Sequence, residues 1–248
     1  PNGNGRMFNN IIEASFRFVE GAQVTFEDLW FKVGGNYTTL ILWNSSDITC
    51  KQVYFEITTP TNSEFFIYMD THSKLTLEGV GMKVPEKHQS AIGMSASELS
   101  IRNSTIFSKI DLSEGSKLTL ENVHIEKFGN NTIHAKDSEV IAKNSTITGG
   151  DLEKDFPPVW LRNVIWESEN CKIELPTGTG VCLDNNVQFN SDSDHMTSIN
   201  SYNSMIRAHQ ATFTEFLCVY EASFASLTGE TTFLNENAQT ISFGVFDE

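Results

Sequence analysis

The chain has 248 residues, of which 39% are hydrophobic, with 18 Phe and 4 Trp, so it can build one sizeable core and is not a disordered polyampholyte. Its 32 acidic residues against 17 basic ones give a formal charge of -15, which argues against nucleic acid as a partner because phosphate binding needs clustered Lys and Arg. No run of about 18 apolar residues is present, so no membrane insertion is expected.

In chain order, the opening segment Pro1–Arg6 has neither the charged stretch nor the apolar stretch expected of a secretory signal. From position 24 one unit recurs. It holds two apolar residues at period two, a polar pair, and a second short stretch ending in an apolar residue. The copies are 24–31, 48–55, 75–82, 99–106, 118–125, 140–147, 159–166, 182–189, 206–213 and 226–233. Their last residues are spaced by 24, 27, 24, 19, 22, 19, 23, 24 and 20, about 22 on average.

Two further columns share this period. The second residue of the polar pair is Asp28, Gln52, Gly79, Asn103, Asn122, Asn144, Asn163, Asn186, Gln210 and Glu230, so Asn, Gly or Asp fill seven of ten positions. Such residues suit a left-handed corner, and Asn103, Asn122, Asn144 and Asn163 are expected to stack as one structural turn ladder. Two residues before each first apolar position stands a small hydroxyl residue in six units: Ser46, Ser73, Ser97, Ser116, Ser138 and Ser204. A third strand precedes that corner at 40–43, 66–69, 91–94, 110–112, 133–135, 173–175, 217–220 and 241–243. Loops at 58–64, 85–90, 149–158 and 190–195 absorb the length variation.

These features predict an all-β, single-domain parallel β-helix over 1–248, with about ten rungs and three short strands per rung. At roughly 4.8 Å per rung the rod would be on the order of 45–50 Å long. The ends at 1–10 and 243–248 lack the pattern of a capping helix and are expected to meet a neighbouring domain or a second copy.

The repeated unit, as in Leu118, Leu120, Asn122 and Ile125, resembles the right-handed parallel β-helix repeat of pectate-lyase-like enzymes, phage tailspikes, and autotransporter or polymorphic outer-membrane-protein passengers. For pectate-lyase-like enzymes the resemblance implies a groove along one sheet, with acidic calcium ligands and a basic residue on neighbouring rungs. The outward third-strand residues here are Tyr68, Gly93, Asp111, His134, Glu174 and Ser242, with Asp111 and His134 on successive rungs as the catalytic candidates and no basic residue joining them.

Asp192 and Asp194, in the 190–195 run, are the candidate metal ligands. That run lacks the Gly and bidentate Glu of a calcium loop, so no cofactor is expected and Ca²⁺ stands as the alternative. Aromatics at Trp43, Trp160, Tyr37, Tyr54 and Tyr202 are candidates for a binding face, with Tyr54 and Trp160 pointing outward by parity. Cys50 and Cys171 should face inward and Cys218 outward, and a bridge between Cys171 and Cys182 stays open. Asn-x-Ser/Thr triplets start at Asn36, Asn44, Asn103, Asn130 and Asn144, no more than chance and the corner pattern supply.

The expected function is an extracellular or cell-surface adhesive or structural display module. Its partner would be a protein or glycan at a cell surface, or another copy through the rung ends. The alternatives are a polysaccharide lyase or glycoside hydrolase and a subunit of a surface appendage or filament.

Overall fold

The computed structural model describes residues 11–12, 16–33, 40–57, 65–83, 91–127, 132–149, 157–234 and 241–244. Tyr37, Asn36, Asn130, the loops 58–64 and 85–90, most of 149–158, and both chain ends lie outside the described residues. The described chain is all strand and turn, with 28 strands in one continuous parallel assembly and no helix. It is a parallel β-solenoid.

Three stacks of strands form its faces. In the first sheet Gln23–Glu27, Asp47–Lys51 and Lys74–Glu78 pair in order with the leading parts of Glu98–Ile106 and Lys117–Lys127. The stack continues through the trailing parts of Ile133–Lys143 and Val159–Glu169, then Gln188–Asp192, Met205–His209 and Phe224–Thr228. The solenoid amounts to about eight turns, where the sequence suggested ten. At its ends Gln23–Glu27 and Phe224–Thr228 each have a described neighbour on one side only, and Val24, Ala225 and Leu227 are just half-buried.

Alternation along each strand puts one face inward, and pairing in register stacks equivalent side chains into continuous columns. Leu75, Leu99, Leu118, Val140, Trp166, Phe189 and Ile206 form one inward column of the first sheet, all essentially without exposure. The second sheet contributes Phe31, Phe55, Met82, Ile106, Ile125, Ile147, Ile173, Met196 and Phe213. Rings stack along these columns, with centroids 5.1 Å apart for Phe31 and Phe55 and 5.6 Å for Trp166 and Phe189.

The outer surface of the first sheet carries alternating charge in both marginal ranks. One rank reads Asp47, Lys74, Glu98, Lys117, Glu139, and the other reads Lys51, Glu78, Arg102, Glu121, Lys143, Glu169. Opposite charges therefore meet on every neighbouring pair of strands, as in Lys74–Glu98 at 2.9 Å, Lys117–Glu139 at 2.8 Å and Lys143–Glu169 at 3.0 Å. Each pair is exposed and contributes little alone. Pairing a strand with the second neighbour instead of the first would align like charges in both ranks, so the pattern also disfavours skipped rungs.

Two kinds of corner turn the chain. The corner from first to second sheet has one residue in the left-handed region: Gln52, Gly79, Asn103, Asn122 and Asn144 lie at φ 48 to 64°. Gly79 suits φ +64° and leaves room for the Gln52 amide, whose Nε2 would lie 2.2 Å from a Cβ and would have to swing aside for any larger residue. Asn122 Nδ2 donates to Asn103 Oδ1 at 3.1 Å, so the expected ladder forms between these two. Asn163 does not join it. It sits at the other corner, from third to first sheet, and donates to Asp137 Oδ1 at 2.7 Å, while Asn170 takes the position after Asn144.

The cause is a shift of the repeat frame at two units. Val159 and Leu161 lie in the third sheet and Trp166 in the first, and Cys182 and Phe189 divide in the same way. Ile173, assigned to a third strand from its sequence, pairs with Ile147 in the second sheet, which also places Glu174 there beside Thr148. Both corners present a left-handed Asn followed by a buried residue, so the local pattern does not tell them apart.

The serine column is at the third-to-first corner as expected. Ser46, Ser73, Ser97, Ser116, Ser138 and Ser204 are buried, and each hydroxyl donates to a carbonyl two or three residues earlier at 2.6 to 2.8 Å. At the other corner the buried amide of one rung finds a side chain of the next: Val80 N–H donates to Ser104 Oγ and Val123 N–H to Ser145 Oγ. This satisfies groups that the bend removes from the strand ladder.

Candidate functional site

The third sheet brings together the catalytic candidates. Asp111 and His134 are register partners, and because the carboxylate can only accept, Nδ1–H of His134 donates to Asp111 Oδ1 at 2.8 Å. Lys109, two residues before Asp111 and so on the same face, donates to Oδ2 at 2.8 Å. The expectation that no basic residue joins the pair is thus corrected: alternation on one strand places Lys109 there. Burial works to raise the Asp111 carboxyl, but the hydrogen bonds and charges of His134 and Lys109 outweigh it and hold its pKa below the ordinary value.

On its other side His134 stacks on Trp160, the next outward residue, with ring centroids 4.5 Å apart and planes 10° from parallel. Nε2 of His134 is buried and has no hydrogen-bond partner among the described residues. The arrangement fixes the ring with Nδ1 toward Asp111 and leaves Nε2 enclosed, without a partner. Trp160 is consequently half-buried by its neighbours, not a free platform.

Tyr54 is exposed on the second sheet, with Trp30 one rung before it and Gly81 one rung after. Trp30 and Tyr54 are 42% and 39% exposed, and their rings meet edge to face with centroids 6.0 Å apart. Gly81 leaves the Tyr54 ring room, since a Cβ there would lie 3.0 Å from its Cδ2. Trp30 was legible as an outward residue from its neighbour Phe31, which closes the first unit on the inward face.

The 190–195 run is not a loop. Asn190 to Asp192 end the strand Gln188–Asp192, Ser193 is the left-handed corner, and His195–Met196 begins the next strand. Asp192 is exposed at the margin of the first sheet, whereas Asp194 points inward and is fully buried. The two expected metal ligands therefore lie on opposite sides of the backbone. Asp194 accepts from Cys171 N–H at 2.7 Å, Ser191 Oγ at 2.8 Å and Ser168 Oγ, and Trp166 Nε1–H donates to that same Ser168 hydroxyl at 2.9 Å. It occupies the corner column of Ser104 and Ser145 and does their work for the Cys171 amide. Among the described residues no three of His, Cys, Asp and Glu converge as a metal site.

All four cysteines are free, so Cys171 and Cys182 are unbridged. Cys50 and Cys171 face the core, and burial pushes their thiols up to about 12 and about 11. Cys182 and Cys218 flank Asn200 on the outer third sheet. Tyr202 stacks on Tyr220 with centroids 5.0 Å apart, and Trp43 lies under the Arg17 guanidinium at 4.6 Å. No protein family, curated protein or solved structure matches the chain.

Proposed function

We propose that this solenoid is an extracellular or cell-surface module for adhesion or structural display, without catalysis of its own and without a cofactor. The observation that carries the reading is the exposed Trp30–Tyr54 pair, two large rings held by consecutive strands on a rigid sheet. Exposed aromatics on a pre-ordered backbone give contact area at low entropic cost, which suits recognition of a protein or glycan at a surface. The test is adhesion of the immobilised chain to cells and to purified surface components. Trp30→Ala with Tyr54→Ala should lower retention at least fivefold while leaving the thermal transition in place; retention equal to the wild type would defeat the reading.

A polysaccharide lyase or hydrolase is the second reading, favoured by the Lys109–Asp111–His134 cluster with its unpartnered Nε2. An oligosaccharide panel assayed for unsaturated or reducing ends separates the two, since release abolished by His134→Ala would replace the first reading with this one.

A further inference from the structure

The charge alternation of the first sheet stops after Glu169. In the last four strands one margin becomes Ile165, Gln188, Met205 and Phe224, and the middle rank becomes Glu167, Asn190, Arg207 and Ser226. Ile165 and Phe224 are 45% and 58% exposed, beside a cavity of about 430 Å³ lined by Glu167, Asn190, Asp192, Arg207, His209 and Ser226 among others. Its floor follows small inward residues, Ser168, Ser191 and Ala208, where the earlier strands carry Leu77, Ile101 and Leu120.

Arg207 is exposed in the middle of this groove. Its guanidinium has neither an ion pair nor a ring partner among the described residues, although Asp192 and Glu167 line the same groove. An unspent planar fork, an amide one rung away and a carboxylate on the margin are groups that bind adjacent hydroxyl pairs bidentately. Two carboxylates against one guanidinium leave the groove net negative and set against polyanions. The neighbouring apolar rank offers Met205 and Phe224 to the C–H face of a sugar ring.

We propose that this groove binds a neutral, hydroxyl-rich oligosaccharide, its hydroxyls held by Arg207, Asn190 and Asp192 and one ring face resting on Phe224. The proposal rests on the display reading, of which it names one ligand class and a second site. The experiment presents neutral and acidic oligosaccharides to the full chain on an array and titrates the binders by calorimetry. A neutral oligosaccharide should bind, Arg207→Ala should weaken it at least tenfold, and Arg207→Lys should fail to restore it because an ammonium lacks the fork. Because Arg207 is exposed and unpaired, the melting transition should stay where it is.

Absence of neutral binders, preference for acidic ones, or an Arg207→Ala affinity within twofold of the wild type overturns the proposal. Trp30→Ala with Tyr54→Ala should leave this binding intact. If those changes abolish glycan binding while Arg207→Ala does not, the groove is refuted and the adhesive reading stands.

Discussion

Replacing Asp194 by Ala takes one acceptor away from three buried donors: Cys171 N–H, Ser191 Oγ and Ser168 Oγ. The two hydroxyls can rotate, and Ser168 already has the Asn190 carbonyl at 3.5 Å, but the Cys171 amide is fixed by the corner and has nowhere to turn. An orphaned buried amide costs about 1–3 kcal/mol, and partial loss at the hydroxyls brings the expected destabilisation to roughly 2–4 kcal/mol. Urea unfolding followed by tryptophan fluorescence measures it, with Trp166 as a reporter because its indole bonds Ser168. A loss below about 1 kcal/mol would refute the structural role, as would stabilisation of the wild type by Ca²⁺ that Asp194→Ala removes.

Asp194→Asn sharpens the test. Burial raises the Asp194 carboxyl above its ordinary 3.8 despite the hydrogen bonds from Ser168, Cys171 and Ser191. With a raised folded value, its contribution to stability is complete below 3.8 and is lost as pH rises through the folded value. The Asn variant does not titrate, so the wild type should lose ground to it as pH rises from about 3 to 7. A gap constant with pH would contradict this.

Two further substitutions probe the corners and the ranks. Asn122→Ala breaks the bond to Asn103 and puts at φ 55° a residue without the short polar side chain that makes the left-handed region tolerable for Asn, so it should cost about 1–2 kcal/mol in urea unfolding, whereas Asn122→Gly should cost less than half as much. Lys117→Glu puts a third negative charge between Glu98 and Glu139 and should destabilise by roughly 0.5–1 kcal/mol at low salt. The loss should shrink in 1 M salt, where screening lengths fall to about 3 Å, and Glu139→Lys in the same chain should reverse it.

The amino-acid pattern by itself determined the architecture. Apolar residues at period two in a unit of about 22 residues, with Asn, Gly or Asp recurring at one corner and Ser at another, predict stacked coils over helices or hairpins, and stacked coils are what the strands form. It also placed Cys50 and Cys171 inside, Tyr54 outside, and Asp111 beside His134, because strand parity and rung order settle those positions together.

Tertiary structure decided what parity leaves degenerate. Both corners read locally as a left-handed residue before a buried one, so the sheet assignments of 159–166 and 182–189, and with them Asn163, were fixed by which strands found register partners. The role of Asp194 was likewise invisible in order along the chain. It depends on what the neighbouring rungs place within hydrogen-bond reach, and that context separates this buried acceptor from the exposed marginal residue of the same type, Asp192.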